Sequence, residues 1–177
     1  ETDDISEVIT TMREGVVNDH IGMYIPHQSI EEQWDVSGLE QSLDGEFGVK
    51  LPLQQWLDDD DELYEDTLRA RIVDAIVKTY EEKSAQVGDN MRAFEKQITL
   101  QILDTLWKEH LSQMDSLRQG IGLRGYGGKN PKQEYKREAF VLFEELLNNL
   151  QHEVIKFLSL VQIKQDESAD AIEKKRL

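Results

Sequence analysis

Two apolar stripes of helical period, one on each side of the stretch GIGLRGYGGKNPKQ, constrain this chain more than any other feature. On the first, Met91, Phe94, Ile98, Ile102 and Leu106 recur at spacings of three and four, with Leu100, Leu103, Trp107, Met114 and Leu117 on an adjoining strip. The second carries Tyr135, Ala139, Leu142, Phe143, Leu146, Leu150, Val154, Phe157, Leu158 and Val161. These patterns predict one helix over residues 89–119, about 45 Å long, and a second of similar length starting at Pro131. Gly88 and Asp89 have the chemistry of a helix stop and a helix start. Asn130 can cap the second helix, Pro131 sits where a missing N–H costs nothing, and Gln133 completes a cap-like pair. Two long amphipathic helices joined by about ten residues bury their stripes by folding back antiparallel. The glycines between them are expected to stop the first helix and let the backbone turn.

The upstream half reads as shorter helices. Ile5, Val8, Ile9, Met12, Val16 and Met23 lie at helical spacing, Asp4 and Glu7 have capping-box spacing, and Pro26 is expected to end the helix. The stretches SIEE at Ser29 and SGLE at Ser37 match the capping box and predict two short helices; KLPLQQWL predicts another short apolar turn. Trp34, Phe47, Leu53, Trp56 and Leu57 are expected to close a small core with the first helix. The acids DDDDE, Asp58 to Glu62, precede Leu63, Leu68, Ile72, Ala75, Ile76 and Tyr80, and are expected in the first turn of that helix, where they complement its dipole. The expected fold is all-α: a small helical subdomain over residues 1–88, a long two-helix hairpin over 89–164, and a charged tail over 165–177, expected to be disordered.

Charge and composition narrow the function. The formal net charge is -16, which opposes general nucleic-acid binding because phosphate contacts need an excess of cations. Between Trp107 and Glu138, however, seven Lys and Arg face four Asp and Glu, a local excess suited to an acidic partner surface or anionic lipid head groups. The absence of cysteine excludes disulfides and cysteine metal sites, and fits a reducing compartment. No apolar run is long enough to span a membrane, and no signal peptide is evident. The opening at Glu1 and the ending AIEKKRL predict a piece of a longer chain.

Catalytic patterns are missing. No GxxxxGK[ST] stretch is present, so the chain is expected neither to bind nor to hydrolyse ATP. GLRGYGG follows a helix, not the strand a dinucleotide cradle requires. The acids at Asp58 to Glu62 lack the spaced ligands and central glycine of an EF-hand loop, and a solvated helix start needs neither. His20, His27, His110 and His152 show no metal-ligand spacing; His110 and His152 either meet across the hairpin or are ordinary histidines. No catalytic residue and no metal site are expected. Tyr126, flanked by Gly125, Gly127 and Gly128, has no neighbouring side chain to hide against. It is expected to present its ring to a partner, the alternative being a ring folded back on the hairpin.

The run LQILDTLWKEHLSQMDSLRQGIGLRGYGGKNPKQEYKREAF resembles the two-helix finger of the SecA family of bacterial protein-translocation ATPases. YIPHQSIEEQWDVSGL and LPLQQWLDDDDELYEDTLRARI resemble that family's helical wing domain. The resemblance extends from about Ile5 to about Ile163 and departs from the family pattern at GGKN after Tyr126. It implies a non-catalytic part of a cytoplasmic motor, peripheral at the inner face of the bacterial plasma membrane. ATP and Mg would belong to motor domains outside this chain, and the partners would be those motor domains, the SecYEG channel and the translocating preprotein. Carried over by position, Tyr126 is the tip aromatic, with Leu123, Arg124, Gly125 and Lys129 about it, contacting polypeptide and channel. Trp107 becomes a regulatory interdomain contact. Two other readings stand beside this one: a stand-alone helical adaptor binding a partner protein through the basic tip, and an RNA-binding hairpin suggested by RGYGGK, which the net charge opposes.

Overall fold

A computed structural model describes residues 5–162. Six α-helices and no strand occur among them: α1 (Ile5–Gly22), α2 (Val36–Phe47), α3 (Leu53–Asp59), α4 (Glu65–Val87), α5 (Asn90–Gly120) and α6 (Pro131–Leu160), with 3-10 turns at Glu31–Gln33 and Ile121–Gly127. The all-α expectation holds, and so does the hairpin. Phe94 lies 6.5 Å from Phe157 near one end, and His110 lies 6.2 Å from Phe143 further along, so rising numbers on α5 meet falling numbers on α6. The 31 residues of α5 make a rod of about 46 Å. Asn130 Oδ1 accepts the N–H groups of Lys132 at 3.0 Å and Gln133 at 3.4 Å, with Pro131 as the first helical residue, as the sequence implied.

The core explains how the hairpin is mounted. Buried side chains of α1 (Ile9, Val17, Ile21), α2 (Leu39, Leu43, Phe47) and α4 (Leu68, Ile72, Ile76) form one cluster with Met91 and Ile98 of α5 and with Leu150, Val154, Ile155 and Leu158 of α6. Phe47, Leu53 and Leu57 join it as expected, with Trp34 and Trp56 half-buried against it. Among the described residues no part of α5 beyond Leu106 and no part of α6 before Leu150 belongs to this cluster. The hairpin is therefore a cantilever. Its root is set in the core of the shorter helices, and an arm containing about 21 Å of α5 projects from it. The boundary expected at residues 88 and 89 falls at the turn between α4 and α5, and the core crosses it.

Several local expectations are corrected. α1 ends at Gly22, ahead of Pro26, and the Ile25 N–H returns to the Ile21 carbonyl at 2.8 Å. Its buried face is broader than expected and shifted: Ile9 and Val16 are buried and Ile5 and Met12 pack against the core, but Val8 and Met23 are exposed, and Arg13, Val17, His20 and Ile21 are buried as well. The helical period fits more than one face, and the neighbouring helices select among them. Ser37 does not cap α2; the Asp35 carboxylate does, accepting the Gly38 N–H at 2.9 Å. SIEE yields only the 3-10 turn at Glu31–Gln33. The acid run does not open α4. Asp58 and Asp59 end α3, whose Leu53 and Leu57 anchor it in the core, and the acids in α4's first turn are Glu65 and Asp66. Gly88 ends α4 at φ +73°, a conformation glycine tolerates, but Asp89 has helical dihedrals and makes no side-chain cap bond. Leu100, counted on the α5 stripe, is exposed. Asp4, the end of the hairpin at residues 163–164 and the tail at 165–177 lie outside the described residues.

Candidate functional site at the hairpin tip

The glycines at the tip act differently from expectation. Gly120 and Ile121 keep right-handed helical dihedrals, and the backbone continues as the 3-10 turn Ile121–Gly127. The reversal is concentrated at Gly128, where φ is +75° and the N–H bonds to the Gly125 carbonyl at 3.3 Å. The tip is thus an ordered turn with local backbone partners, not an open loop. Gly125 lies beside the Pro131 ring, so the turn rests on the start of α6.

A 3-10 turn has three residues per turn, so side chains at i and i+3 eclipse. Leu123 and Tyr126 are spaced this way and form one apolar face. Tyr126 is 92% exposed and Leu123 is exposed as well, so the ring stands away from the hairpin. The cations at the tip divide into two groups. The Arg124 guanidinium pairs with Glu138 and lies 3.4 Å from Glu134; Arg137 donates to Glu134 at 2.6 Å. Arg124 thus braces the turn against α6, while Arg137 pairs within α6, and both offer less free charge than the sequence count implied. Lys129 and Lys132 are exposed and form no ion pair among the described residues.

Further down the arm, Trp107 is 44% exposed and packs on His110 at 5.4 Å between ring centroids. His110 is buried between Trp107 and Phe143, which explains why it never meets His152. His152 lies nine residues beyond Phe143 on α6, about 14 Å further along. Phe140, Val141, Phe143 and Leu147 of α6 and Leu111 of α5 are also exposed, so the arm presents apolar side chains to water along both helices. Between the helices near the tip runs a groove of about 710 Å³ lined by Ser112, Ser116, Leu117, Arg124, Arg137 and Val141 among others.

Residues 1–162 match the family described as the SecA Wing and Scaffold domain. This chain belongs to that family. Two curated relatives carry the name protein translocase subunit SecA. That of Pseudomonas fluorescens (strain Pf0-1) is 54% identical over 169 residues, covering 95% of this chain and 18% of the relative. That of Ectopseudomonas mendocina (strain ymp) is 53% identical over 169 residues, covering 95% of this chain and 19% of the relative. The chain spans less than a fifth of the length of these relatives.

Within this SecA wing and scaffold chain, the tip turn brings Leu123, Arg124, Gly125 and Tyr126 together and places Lys129 just past the reversal. Trp107 is separate from them, on the arm. The arrangement offers contact: an apolar tip face and an apolar arm. No group of three or more His, Asp or Glu residues placed to hold a metal ion occurs among the described residues, and no helix there is long and apolar enough to cross a membrane. Reading residues one stripe at a time missed the exposed arm residues Phe140 and Val141. The signal was present in AFVLF, residues 139–143, because five consecutive apolar residues on a helix cannot all face one partner.

Proposed function

We propose that this chain is the coupling and regulatory part of a SecA protein translocase, with the shorter helices (residues 1–88) as the wing and residues 89–164 as the finger. The finger holds Tyr126 and Leu123 against a polypeptide entering the SecYEG channel. The face around Trp107 meets the motor domains of the parent protein and restrains their ATP hydrolysis. ATP and Mg are bound by those motor domains, outside this chain. The parent works in the cytoplasm at the inner face of the membrane, where Lys129 and Lys132 can approach anionic head groups.

One observation carries the reading: a 92% exposed tyrosine at the far end of a rigidly rooted rod. An exposed aromatic contributes nothing to the core, and its apolar face and single hydroxyl suit contact with polypeptides of any sequence at low entropic cost. A rod mounted in a packed core transmits displacement to its tip. In a preprotein translocation assay with the full-length translocase, Tyr126→Phe and Tyr126→Met should keep most transport. Tyr126→Ser and Tyr126→Gly should lose it. Full transport by the glycine variant would refute the role of the ring.

A further inference from the structure

We infer that a buried polar clasp at the butt of the hairpin sets the direction in which the finger leaves the wing helices, and that Arg13 is its positioning residue. This inference rests on the lever reading above. The clasp joins four helices. Arg13 of α1 is 1% exposed, and its guanidinium lies over the Tyr80 ring of α4, 3.6 Å from the centroid. Its Nη1 donates to Ser159 Oγ, in the last turn of α6, at 2.6 Å. The Tyr80 hydroxyl donates to Glu95 of α5 at 2.7 Å, and fully buried Glu95 also pairs with Arg92 at 3.0 Å. Lys83 of α4 donates to the Leu158 and Ser159 carbonyls at 3.0 Å and 2.9 Å, groups the end of a helix leaves without intrahelical partners.

Position and chemistry both point to orientation. Every contact lies at the end of the hairpin opposite the tip. Hydrophobic burial is non-directional, and apolar cores tolerate repacking, so the core around the root does not by itself select one angle. A buried charge is costly, and its best-attested use is to specify register. Burial lowers the Arg13 pKa to about 10, which leaves it charged at neutral pH. Burial first, and then Glu95, push the Tyr80 hydroxyl up, so it remains a donor. Glu95 sits about 16 Å behind Leu106, where α5 leaves the core, and the end of α5 is about 21 Å beyond it. A slip at the clasp therefore swings the tip by at least as much in the opposite sense.

The test uses the full-length translocase with spin labels on introduced cysteines at Gln41, exposed on α2, and Gln133, exposed at the start of α6. Arg13→Met keeps volume but loses every directional contact. It should shift or broaden the label-to-label distance distribution by several ångströms and lower preprotein transported per ATP hydrolysed several-fold. Arg13→Lys, which keeps a donor and a cation, should lie nearer to wild type in both. If Arg13→Met fails to fold, Ser159→Ala carries the same test, because it removes the acceptor of the hydrogen bond by which Arg13 ties α1 to α6. A melting temperature that drops while the distance distribution stays unchanged makes Arg13 merely structural and overturns the inference. A broadened distribution with unchanged transport per ATP upholds the clasp and instead refutes the lever reading.

Discussion

The cantilever predicts that the two ends of α6 respond very differently to the loss of an apolar side chain. Ile155 is fully buried where α6 enters the core, whereas Phe140 on the arm is 61% exposed. Ile155→Ala deletes three carbons, about 2.4 kcal/mol of transfer free energy at about 0.8 kcal/mol each. The cavity left in a rigid core raises the total to about 3–4 kcal/mol. In a chain of this size each kcal/mol is worth about 2–4 °C, so the melting temperature should fall by about 10 °C. Phe140→Ala removes a larger side chain but returns only roughly 50 Å² to water, about 1 kcal/mol as an upper bound. Thermal and urea unfolding of the chain, followed by circular dichroism at several protein concentrations, measures both. Equal costs for the two substitutions at low concentration would show that the arm is packed as tightly as the root, and the cantilever would be wrong.

Trp107→Ala should leave the chain folded at a cost of about 2 kcal/mol, about half that of truncating a fully buried tryptophan, and should raise basal ATP hydrolysis of the full-length translocase. A loss of 3–5 kcal/mol with unchanged hydrolysis would make Trp107 a simple packing residue. His20 is buried, its ring 2.6 Å from Ser42 Oγ and edge-on to Phe47. Burial depresses its pKa, with His152 and Lys156 reinforcing the shift and Glu46 opposing it. The unfolded chain therefore binds the proton more readily. This contribution to stability is complete above about pH 6.5 and is lost as pH falls below it. His20→Gln should lose less stability than wild type between pH 7.5 and 5.5 in urea titrations; parallel pH profiles would refute the assignment.

Much of the hairpin was legible because its signals are local. The apolar period of residues 91–106 and 142–158, the Asn130–Pro131 cap and the short connection require only near neighbours, and they dictate two antiparallel helices. The tip was legible in part. Exposure of Tyr126 followed from the absence of side chains beside it, but the glycines gave no hint of a continuing 3-10 turn. Glycine accepts right-handed dihedrals as readily as left-handed ones, so its presence permits a reversal without locating it. Nor did the charge count distinguish Arg124, turned back onto Glu134 and Glu138, from exposed Lys129.

By itself, the sequence determined the helix class, the hairpin and its family. Only the tertiary structure decided where the hairpin is held and which polar residues it swallows. Arg13 and Glu95 lie at stripe spacing, four residues after Ile9 and Met91, but their charge assigns them to solvent, and yet both are buried. They are buried because Tyr80 and Ser159, from helices distant in the chain, meet them at the junction. A charged side chain enters a core only where partners offset the loss of water, as the Ser159 hydroxyl and the Tyr80 ring do for Arg13. Those partners are fixed by how four helices cross, a relation that no stretch of the sequence contains.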